Sequence, residues 1–321
     1  MAEPLRDDQA PVLGPAALRS GGGTGLLSDQ STCPFRAFAR HRLDAAEHRL
    51  PRPGLNPAQR GTLIHDALEF FWQDVTGGEA LRQLAAATLQ QRIDDAVDAA
   101  LDKIARTYRL VLSRRSRLLE RARCQRWLLQ WLQLEANRPD FTVVEREAEI
   151  TIVLGELTLS GKLDRVDALA DGQRLLIDYK TKASGLSSNR WAPDQRMVDP
   201  QLPAYALSMK PAPGAITFAN IAPQAAKFSG VSREPTGIAG VTEIGKARHG
   251  FSAIDHWEPL LEQWRADLTQ LATSYRDGAA AVDPSGKDSC KYCHLKSLCR
   301  INERSLNMLY GDDTEDGPDH E

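Results

Sequence analysis

The stretch GKLDRVDALADGQRLLIDYKTK, residues 161–182, contains the pattern that decides the fold. Its two apolar segments, LDRVDAL and RLLIDY, have the aliphatic content of buried strands, and the DG pair between them is typical of a turn. Three charged residues, Asp164, Asp178 and Lys180, interrupt these segments. Because burying a charge is costly unless it is paired or binds a metal, these three side chains require an explanation.

Pairing of the two predicted strands brings the charged residues together. If the strands are antiparallel, Asp164 lies nearly opposite Asp178, and Lys180, two residues further on, points to the same face. Two adjacent carboxylates repel each other unless a cation lies between them, and Mg²⁺ prefers one or two carboxylates, waters and a substrate phosphate. A neighbouring lysine suits phosphodiester hydrolysis. The alternative is a structural ion pair between Asp178 and Lys180 on an edge strand, with Asp164 paired to Arg165 or Arg174.

The rest of the chain predicts helices around this sheet. Residues 57–137 have a helical pattern, and residues 141–181 predict a three-stranded meander that turns at Gly155 and at the DG pair. Three further elements are predicted, a helix at 199–210, a strand at 215–221 and a helix at 253–277. The fold class is therefore α/β.

Composition restricts the class of protein. No apolar run reaches membrane-spanning length, so the sequence predicts a globular protein with the cytoplasm as its default location and no membrane partner. Residues 1–25 predict a flexible leader, and the run SGGGTG within them lacks the GK[ST] ending of a phosphate loop. Residues 303–321 predict a disordered acidic tail. The last eleven residues hold six acids, and without them 40 basic residues face 37 acidic ones, a net charge of +3.

A basic segment lies between residues 103 and 126, where Glu120 is the single acid. Two interpretations remain open, a solvated helix face and a surface that follows nucleic-acid phosphates. The basic residues of the segment are Lys103, Arg106, Arg109, Arg114, Arg115, Arg117, Arg121, Arg123 and Arg126.

Three of the five cysteines are close together in the sequence CKYCHLKSLC, as Cys290, Cys293 and Cys299. Reduced thiols in this spacing indicate ligands to a metal or cluster rather than disulfides. A tetrahedral site needs a fourth ligand, for which the adjacent His294 is poorly placed. Thiolates suit either zinc or a [4Fe-4S] cluster. Cys124, far from the others in sequence, is most simply a buried or half-buried free thiol.

Several motifs together resemble a known family. GKLDRVD and LLIDYKT resemble motifs II and III of the PD-(D/E)XK nuclease superfamily, in the form found in RecB-type and AddB-type nuclease domains. GTLIHDALE (61–69), QLPAYAL (201–207) and CPFRAFARHRL (33–43) resemble its other motifs, in the same order. The resemblance implies a restriction-endonuclease-like core, a central mixed sheet flanked by helices with a helical insertion. It implies one nuclease domain over residues 26–302, with a helical segment at 57–137, a catalytic sheet core at 141–221 and a cluster-binding segment at 284–300.

The resemblance also implies roles for individual residues. Mg²⁺ or Mn²⁺ would be held by His65, Asp164, Asp178 and the backbone carbonyl of Tyr179. Lys180 would position the attacking water, and Gln201 and Tyr205 would support the lysine or a DNA phosphate. Glu69, one helical turn after His65, is a partner of that histidine or an ordinary surface acid.

For the cysteines, the resemblance pairs Cys33 with the C-terminal cysteines in a [4Fe-4S] cluster that joins the two ends of the domain, with zinc as the alternative. Basic and aromatic residues flank these cysteines and either contact DNA or pack around the site. They are Phe35, Arg36, Phe38, Arg40, Arg42, Lys291, Tyr292, Lys296 and Arg300.

The function implied is a Mg²⁺- or Mn²⁺-dependent deoxyribonuclease, an exonuclease that acts on DNA ends in recombination and double-strand break repair. Its partners would be DNA, as single strands or ends, and a helicase domain or subunit. Two alternatives belong to other classes. One is a nuclease-inactive iron-sulfur module that binds DNA, and the other is a zinc-stapled scaffold for protein interactions.

Overall fold

The computed structural model describes residues 8–20, 22–47, 54–181, 187–193, 196–222, 226–248 and 250–302. A mixed sheet forms the centre of this part of the chain. Its strands are β1 (Arg19–Ser20), β2 (Phe141–Leu154), β3 (Leu157–Leu169), β4 (Arg174–Lys180), β5 (Ala215–Asn220), β6 (Lys227–Ser232) and β7 (Val241–Glu243).

The sheet contains both strand orientations. The meander of β2, β3 and β4 is antiparallel, as predicted, and β5 then pairs in parallel with β4. Strand β6 is antiparallel to β5, while β7 is parallel to β6 and the short β1 is parallel to β3. The predicted α/β fold with a central mixed sheet is confirmed.

Helices cover both faces of the sheet. They are α1 (Gly23–Thr32), α2 (Pro34–His41), α3 (Pro57–Asp74), α4 (Gly78–Arg82), α5 (Ala86–Thr107), α6 (Arg114–Ala136), α7 (Gln201–Ser208), α8 (Trp257–Arg276) and α9 (Lys296–Cys299). Short 3₁₀ turns lie at Pro15–Leu18, Ser188–Trp191, Ile244–Lys246 and Lys287–Cys290. Among the described helices, none has the length and apolar character required to cross a membrane.

Alternation along β4 assigns its side chains to two hydrophobic cores. Leu175 and Ile177 point into one core with α3, α5 and α6, whereas Leu176 points into the other with α1, α7 and α8. Asp178 and Lys180 follow Leu176 at two-residue steps and therefore share its face. The charged residues thus lie at the end of an otherwise apolar strand face.

The start of α3 explains where its histidine lies. The Asn56 side chain accepts a hydrogen bond from the Gln59 amide, the Gln59 side chain returns one to the Asn56 amide, and Pro57 occupies the first helical position. This capping box fixes the first turn of the helix. His65 lies about two turns further on, where the helix passes the end of β4.

The structure differs from two sequence-based expectations. The leader is not structureless through residue 25, because β1 pairs with β3, α1 begins at Gly23 and Ala10 bonds to the Gly278 carbonyl. Strand β4 lies between β3 and β5, so the alternative that placed the Asp178–Lys180 pair on an edge strand is wrong. The predicted acidic tail, residues 303–321, lies outside the described residues.

Several arginines of the basic segment are paired within the helical layer. Arg117 binds Asp102 and Arg121 binds Asp98, which joins α6 to α5. Arg123 and Arg60 both bind Glu120, which is buried. For these residues the structure supports helix packing rather than a phosphate-binding surface.

Candidate active site

The ends of β3 and β4 bring the charged residues of the meander together. Arg165 pairs with Ile177 across the two strands, which puts Asp164 next to Asp178. The Tyr179 amide donates a hydrogen bond of 2.7 Å to Asp164 Oδ2. Lys180 Nζ lies 2.6 Å from Asp178 Oδ2. The same-face placement predicted for Asp178 and Lys180 is confirmed.

His65 reaches this position from α3. Its Nε2 lies 2.9 Å from the Tyr179 carbonyl oxygen and, since a carbonyl only accepts, donates to it. Its Nδ1 lies 3.4 Å from Asp164 Oδ1. The structure therefore brings together His65, Asp164 and the Tyr179 carbonyl, three of the four groups predicted as metal ligands.

Glu147 of β2 completes a compact set of possible ligand atoms. Its carboxylate, an Asp164 oxygen and a His65 nitrogen all lie within 4.8 Å of one another. The pairs Arg146 with Arg165 and Ala148 with Leu163 place Glu147 opposite Asp164. Its backbone has φ of 46°, a left-handed conformation that is uncommon for residues other than glycine. Such conformations often occur at functional sites.

Sequence reasoning missed Glu147, although a signal was present. The turn at Gly155 pairs Leu154 with Leu157, and counting back along both strands from this pair reaches Glu147 and Asp164 together. Asp178 does not belong to the compact set, because its carboxylate lies against Lys180.

The site has three carboxylates, on Asp164, Asp178 and Glu147, and two lysines paired with them, Lys180 and Lys162. Burial opposes protonation of His65, but the carboxylates of Asp164, Asp178 and Glu147 outweigh it and raise the pKa of His65 to about 9. Burial raises the pKa of Asp178 to about 7, even though Lys180 acts in the opposite direction. Burial likewise raises the pKa of Glu147. Protons or a cation must therefore neutralise these groups.

The donor atoms suit a hard divalent cation. Carboxylate oxygens, a backbone carbonyl and one imidazole nitrogen are ligands that Mg²⁺ and Mn²⁺ accept. Asp178 Oδ2 is buried and already pairs with the Lys180 ammonium at 2.6 Å. The chemistry of the donor set, rather than an oxygen without a partner, therefore fits a divalent cation.

Helix α7 contributes a hydrogen-bond partner for Lys180. Gln201 Oε1 accepts a hydrogen bond of 3.1 Å from Lys180 Nζ. Tyr205, one turn later, accepts a bond from the Lys162 amide at 3.3 Å. Its ring lies on Gly161, where a Cβ atom would approach Tyr205 Cε1 to 2.5 Å. The glycine of the GKLDRVD motif is thus required by the position of this tyrosine.

A second charged cluster lies on the opposite face of the sheet and is fully buried. Arg165 contacts Asp167 at 2.6 Å, Glu135 at 2.8 Å and Tyr179 Oη at 3.1 Å. Arg138 contacts Glu135 at 2.8 Å and also binds Asp167. Two cations and two anions balance each other here. The suggested pairing of Asp164 with Arg165 is wrong, because the two side chains point to opposite faces.

An open cavity of about 450 Å³ lies in front of the site, and His65, Glu147 and Lys180 line it. Two further lysines, Lys103 and Lys162, also line this cavity. Lys103 binds Asp66 at 2.7 Å and Glu69 at 2.8 Å, so Glu69 contacts this lysine and not His65. Lys162 binds Glu147 at 2.6 Å. The cavity therefore combines acidic ligands with cations suited to a phosphate.

The four predicted cysteine ligands line one small cavity between α2 and the C-terminal segment. Burial raises the pKa of the Cys290 thiol, and Cys293, Cys33 and Cys299 each raise it further. The Phe35 amide bonds to the Ala281 carbonyl, which brings the N- and C-terminal segments together beside this cavity.

Cys124 lies elsewhere and is buried, as predicted for a free thiol. Burial and the charge of Glu120 raise its pKa well above the usual range. The thiol is therefore not reactive at neutral pH.

A mixed sheet that carries an aspartate on one strand and an Asp-x-Lys pair on the next, with a histidine from a preceding helix, defines the class of metal-dependent nucleases. The sequence profile of the PD-(D/E)XK nuclease superfamily matches residues 27–300, and the chain belongs to this superfamily. Its members use divalent metals. No curated protein sequence matches this chain.

Ten solved chains resemble the structure. One is the crystal structure of SSO0001, which is 14% identical in sequence. The match covers 86% of this chain and 94% of that one, with a TM-score of 0.31.

Proposed function

We propose that this protein is a Mg²⁺- or Mn²⁺-dependent deoxyribonuclease that degrades DNA from ends, as an exonuclease in recombination and double-strand break repair. The convergence of Asp164, Asp178 and Lys180 with His65 and Glu147 carries this proposal. Membership of the nuclease superfamily supports the reaction type. The role at DNA ends and a helicase partner that supplies the strands rest on the resemblance to RecB-type and AddB-type domains.

The acidic set would hold the metal, with His65, Glu147, Asp164, Asp178 and the Tyr179 carbonyl as its candidate ligands. When bound, a divalent cation supplies Lewis acidity at the phosphate and acidifies a water. His65 must lose its proton to act as a ligand, because an imidazolium has no free electron pair. His65 Nδ1, which faces Asp164, is the nitrogen that would bind the metal, while Nε2 keeps its proton and its hydrogen bond to the Tyr179 carbonyl.

Lys180 acts as a charged donor in this proposal. Burial lowers its pKa, but Asp178 and Asp199 outweigh that effect and raise the pKa above its ordinary value. The ammonium is therefore charged at neutral pH. Held between Asp178 and Gln201, it is suited to orient a water and to stabilise charge that develops on a phosphate.

The cysteine cavity would hold a [4Fe-4S] cluster. Zinc bonds to sulfur at about 2.3 Å and so needs sulfurs roughly 4 Å apart. No three Sγ atoms of the described cysteines lie within 4.8 Å of one another, which favours the larger cluster. The cluster would fasten Cys33 to the segment from Cys290 to Cys299 and stabilise the nuclease core. It also requires reduced thiols, in line with the expected cytoplasmic location.

The test compares wild type, Lys180→Ala and a matched control, Lys246→Ala, all purified without oxygen. Lys246 is an exposed lysine whose partner is Glu243. End-labelled single- and double-stranded DNA is incubated with Mg²⁺, with Mn²⁺ or with a chelator. We expect metal-dependent cleavage by wild type and Lys246→Ala, and loss of cleavage by about 10²–10³-fold in Lys180→Ala.

Equal cleavage by wild type and Lys180→Ala would refute the catalytic assignment. Inactivity of all three proteins, together with tight DNA binding, would favour the nuclease-inactive binding module. The metal content of the same preparations decides the cysteine site, since a colourless protein containing zinc would refute the iron-sulfur cluster.

A further inference from the structure

A second cavity, of about 960 Å³, opens beside the cysteine site. Its walls come from α2, from the 3₁₀ turn at Ser188–Trp191 and from the segment between residues 285 and 294. Its size is at the upper end of the roughly 300–1,000 Å³ of small-molecule pockets, and it is an open groove rather than an enclosed pocket. We call this cavity the strand groove. The proposed nuclease reaction does not use it.

Three arginines line the strand groove, Arg36, Arg40 and Arg190, together with two acids, Glu47 and Asp288. Arg40 also pairs with Asp29, and Arg190 with Asp199. Counted with these partners the groove has no excess of positive charge, and what it offers a phosphate is the N–H donors of its guanidinium groups.

Two of these arginines, Arg36 and Arg40, are each held in place by a partner at one end of the guanidinium group. Arg36 Nη2 donates to the Ser289 carbonyl at 2.5 Å, and Arg40 Nη1 donates to the Asp29 carboxylate at 3.0 Å. A guanidinium has five donors, so one such partner leaves others for a phosphate. The Arg40 side chain is 47% exposed.

Not every basic residue near the cysteines is available in this way. Arg42 donates to the backbone carbonyls of Pro11, Tyr275 and Arg276, and it stacks on the Tyr275 ring at 4.9 Å. This arginine packs the two chain ends together. Arg42 therefore differs from Arg36 and Arg40, because its guanidinium is used to join the two ends of the chain.

Tyr292 adds a flat aromatic surface to the strand groove. Its side chain is 89% exposed, and Lys291 Nζ lies 5.5 Å from the ring centroid. Exposed aromatic rings beside basic residues are the means by which proteins bind single-stranded nucleic acid, because any base can stack on them. A duplex hides its bases and could use only the arginines.

The strand groove borders the active site. Arg190 Nε lies 3.6 Å from Asp199 Oδ2, and Val198 lines the groove. The charge of Asp199 acts on both Asp178 and Lys180, and Gln201, two residues later, bonds to Lys180. Asp199 and Gln201 therefore connect the wall of the groove at Arg190 with Lys180 of the active site.

We propose that the strand groove binds one nucleic-acid strand, with its phosphates on Arg36, Arg40 and Arg190 and a base stacked on Tyr292. This inference rests on the proposed nuclease function and specifies the form of its substrate, a single strand. The groove and the cysteine cavity share Arg36, Ser289 and Cys293 in their walls, so the shape of the groove depends on the cysteine site.

The test measures binding of fluorescent single strands in the presence of a chelator, so that no cleavage occurs. Arg40→Gln is compared with the matched control Arg233→Gln. Arg233 binds Glu258, and its amide bonds to Gly214, at the end of the sheet opposite to Lys180. We expect Arg40→Gln to weaken binding and to reduce the slope of log K against log salt by about 0.7, the value for one phosphate contact on a single strand. Arg233→Gln should bind as wild type does.

Tyr292→Ala provides a second variant, because the Tyr292 side chain is so exposed that its removal should not disturb folding. We expect binding to weaken roughly tenfold with no change in the salt slope, and Tyr292→Phe to restore it. Wild-type affinity in both Arg40→Gln and Tyr292→Ala would overturn the proposal. Equal loss of single-strand and duplex binding in Tyr292→Ala would overturn the assignment to a single strand.

Hydrolysis of a small chromogenic phosphodiester separates failure of this proposal from failure of the nuclease function. Such a substrate is too short to occupy the strand groove. We expect wild type and the control Arg233→Gln to hydrolyse it and Lys180→Ala to lose hydrolysis. If wild type fails to hydrolyse it and fails to cut DNA, the nuclease function fails, while the binding measurements still decide the groove.

Discussion

Two charged clusters lie back to back across β3, and they differ in charge balance. Asp164 points to one face, toward His65, Glu147 and Asp178, where carboxylates outnumber the cations that neutralise them. Arg165, the next residue, points to the other face and joins a buried cluster with Glu135, Arg138 and Asp167, in which two positive charges meet two negative ones.

This difference teaches how to recognise a site among buried charges. A balanced cluster has its partners and needs no ligand, and its ion pairs set packing and geometry. An unbalanced cluster takes up a proton, as the pKa of His65 shows, which Asp164, Asp178 and Glu147 raise against the effect of burial. Burial alone does not separate the two, since Asp178 is as buried as Arg165.

The largest expected effect is loss of activity on the unbalanced face. Asp164→Asn removes a carboxylate from the candidate ligand set, and we expect cleavage of DNA to fall by about 10³-fold or more. The metal-free variant should keep most of its thermal stability, because the substitution relieves the repulsion of Asp164 by Glu147 and Asp178. Activity assays and thermal unfolding of the same preparation test both statements. Full activity in this variant would remove Asp164 from the site.

The matched change on the balanced face should act on stability instead. Asp167→Asn leaves two buried positive charges, on Arg138 and Arg165, with one remaining carboxylate, Glu135, and loss of a buried ion-pair partner costs about 3–5 kcal/mol in free energy of unfolding. Denaturant titration measures this loss. The activity of each remaining folded molecule should change far less than in Asp164→Asn. If the two variants behave alike, the two clusters are not functionally distinct.

The dependence of metal binding on pH should follow the unbalanced cluster. The pKa of His65 is raised to about 9, so at neutral pH a bound metal displaces its proton. We expect the apparent affinity for Mn²⁺ to rise about tenfold per pH unit between pH 7 and 9, and more steeply below pH 7, where Asp178 is also protonated. Calorimetry in buffers of different ionisation enthalpy counts the released protons. An affinity that does not change with pH would contradict the proposed ligands.

The same raised pKa predicts an opposite trend without metal. A group whose pKa is higher in the folded state than its ordinary 6.5 stabilises the fold below pH 6.5, and this stabilisation is lost as pH rises through about 9. Chelator-treated protein should therefore become less stable over this interval. Thermal unfolding of His65→Gln, in which the trend should disappear, is the control.

The smallest expected effect concerns Tyr179, which contacts the buried cluster through its side chain and the active site through its backbone. Tyr179→Phe removes the hydroxyl that Arg165 contacts and should cost about 1 kcal/mol in free energy of unfolding. The backbone of Tyr179 contacts His65 and Asp164, so loss of activity beyond the loss of stability would show that the buried cluster positions the active site. Unchanged activity per folded molecule would assign the buried cluster to stability alone.

Strand alternation allowed much of the site to be predicted from the sequence. A period of two residues places Asp178 and Lys180 on one face, and the DG turn fixes the register that brings Asp164 beside them. The spacing of four residues, about one helical turn, likewise predicts that Gln201 and Tyr205 share one face of their helix. Cys33 could be connected to the other cysteines only through the family resemblance, because no local pattern joins positions so distant in the chain.

The parts that were missed depend on register over a longer distance and on tertiary pairing. Glu147 lies in a strand whose alternation is interrupted by a shift of register after Val143 and by its own left-handed backbone. Arg165 looked like a possible partner for Asp164 because it is adjacent in sequence. The packing of Glu135 and Arg138 at the end of α6 shows that Arg165 belongs to the other face.

The closure of the chain beside the cysteine cavity imposes an order on biosynthesis. A ribosome has produced every residue of the active site once it passes Tyr205, yet Cys33 must wait for Cys299 before the four thiols can assemble. Strand pairing can therefore precede the joining of the two ends. The nascent chain would carry all the candidate catalytic residues before its two ends meet, and closure of the cysteine cavity would be the last step of folding.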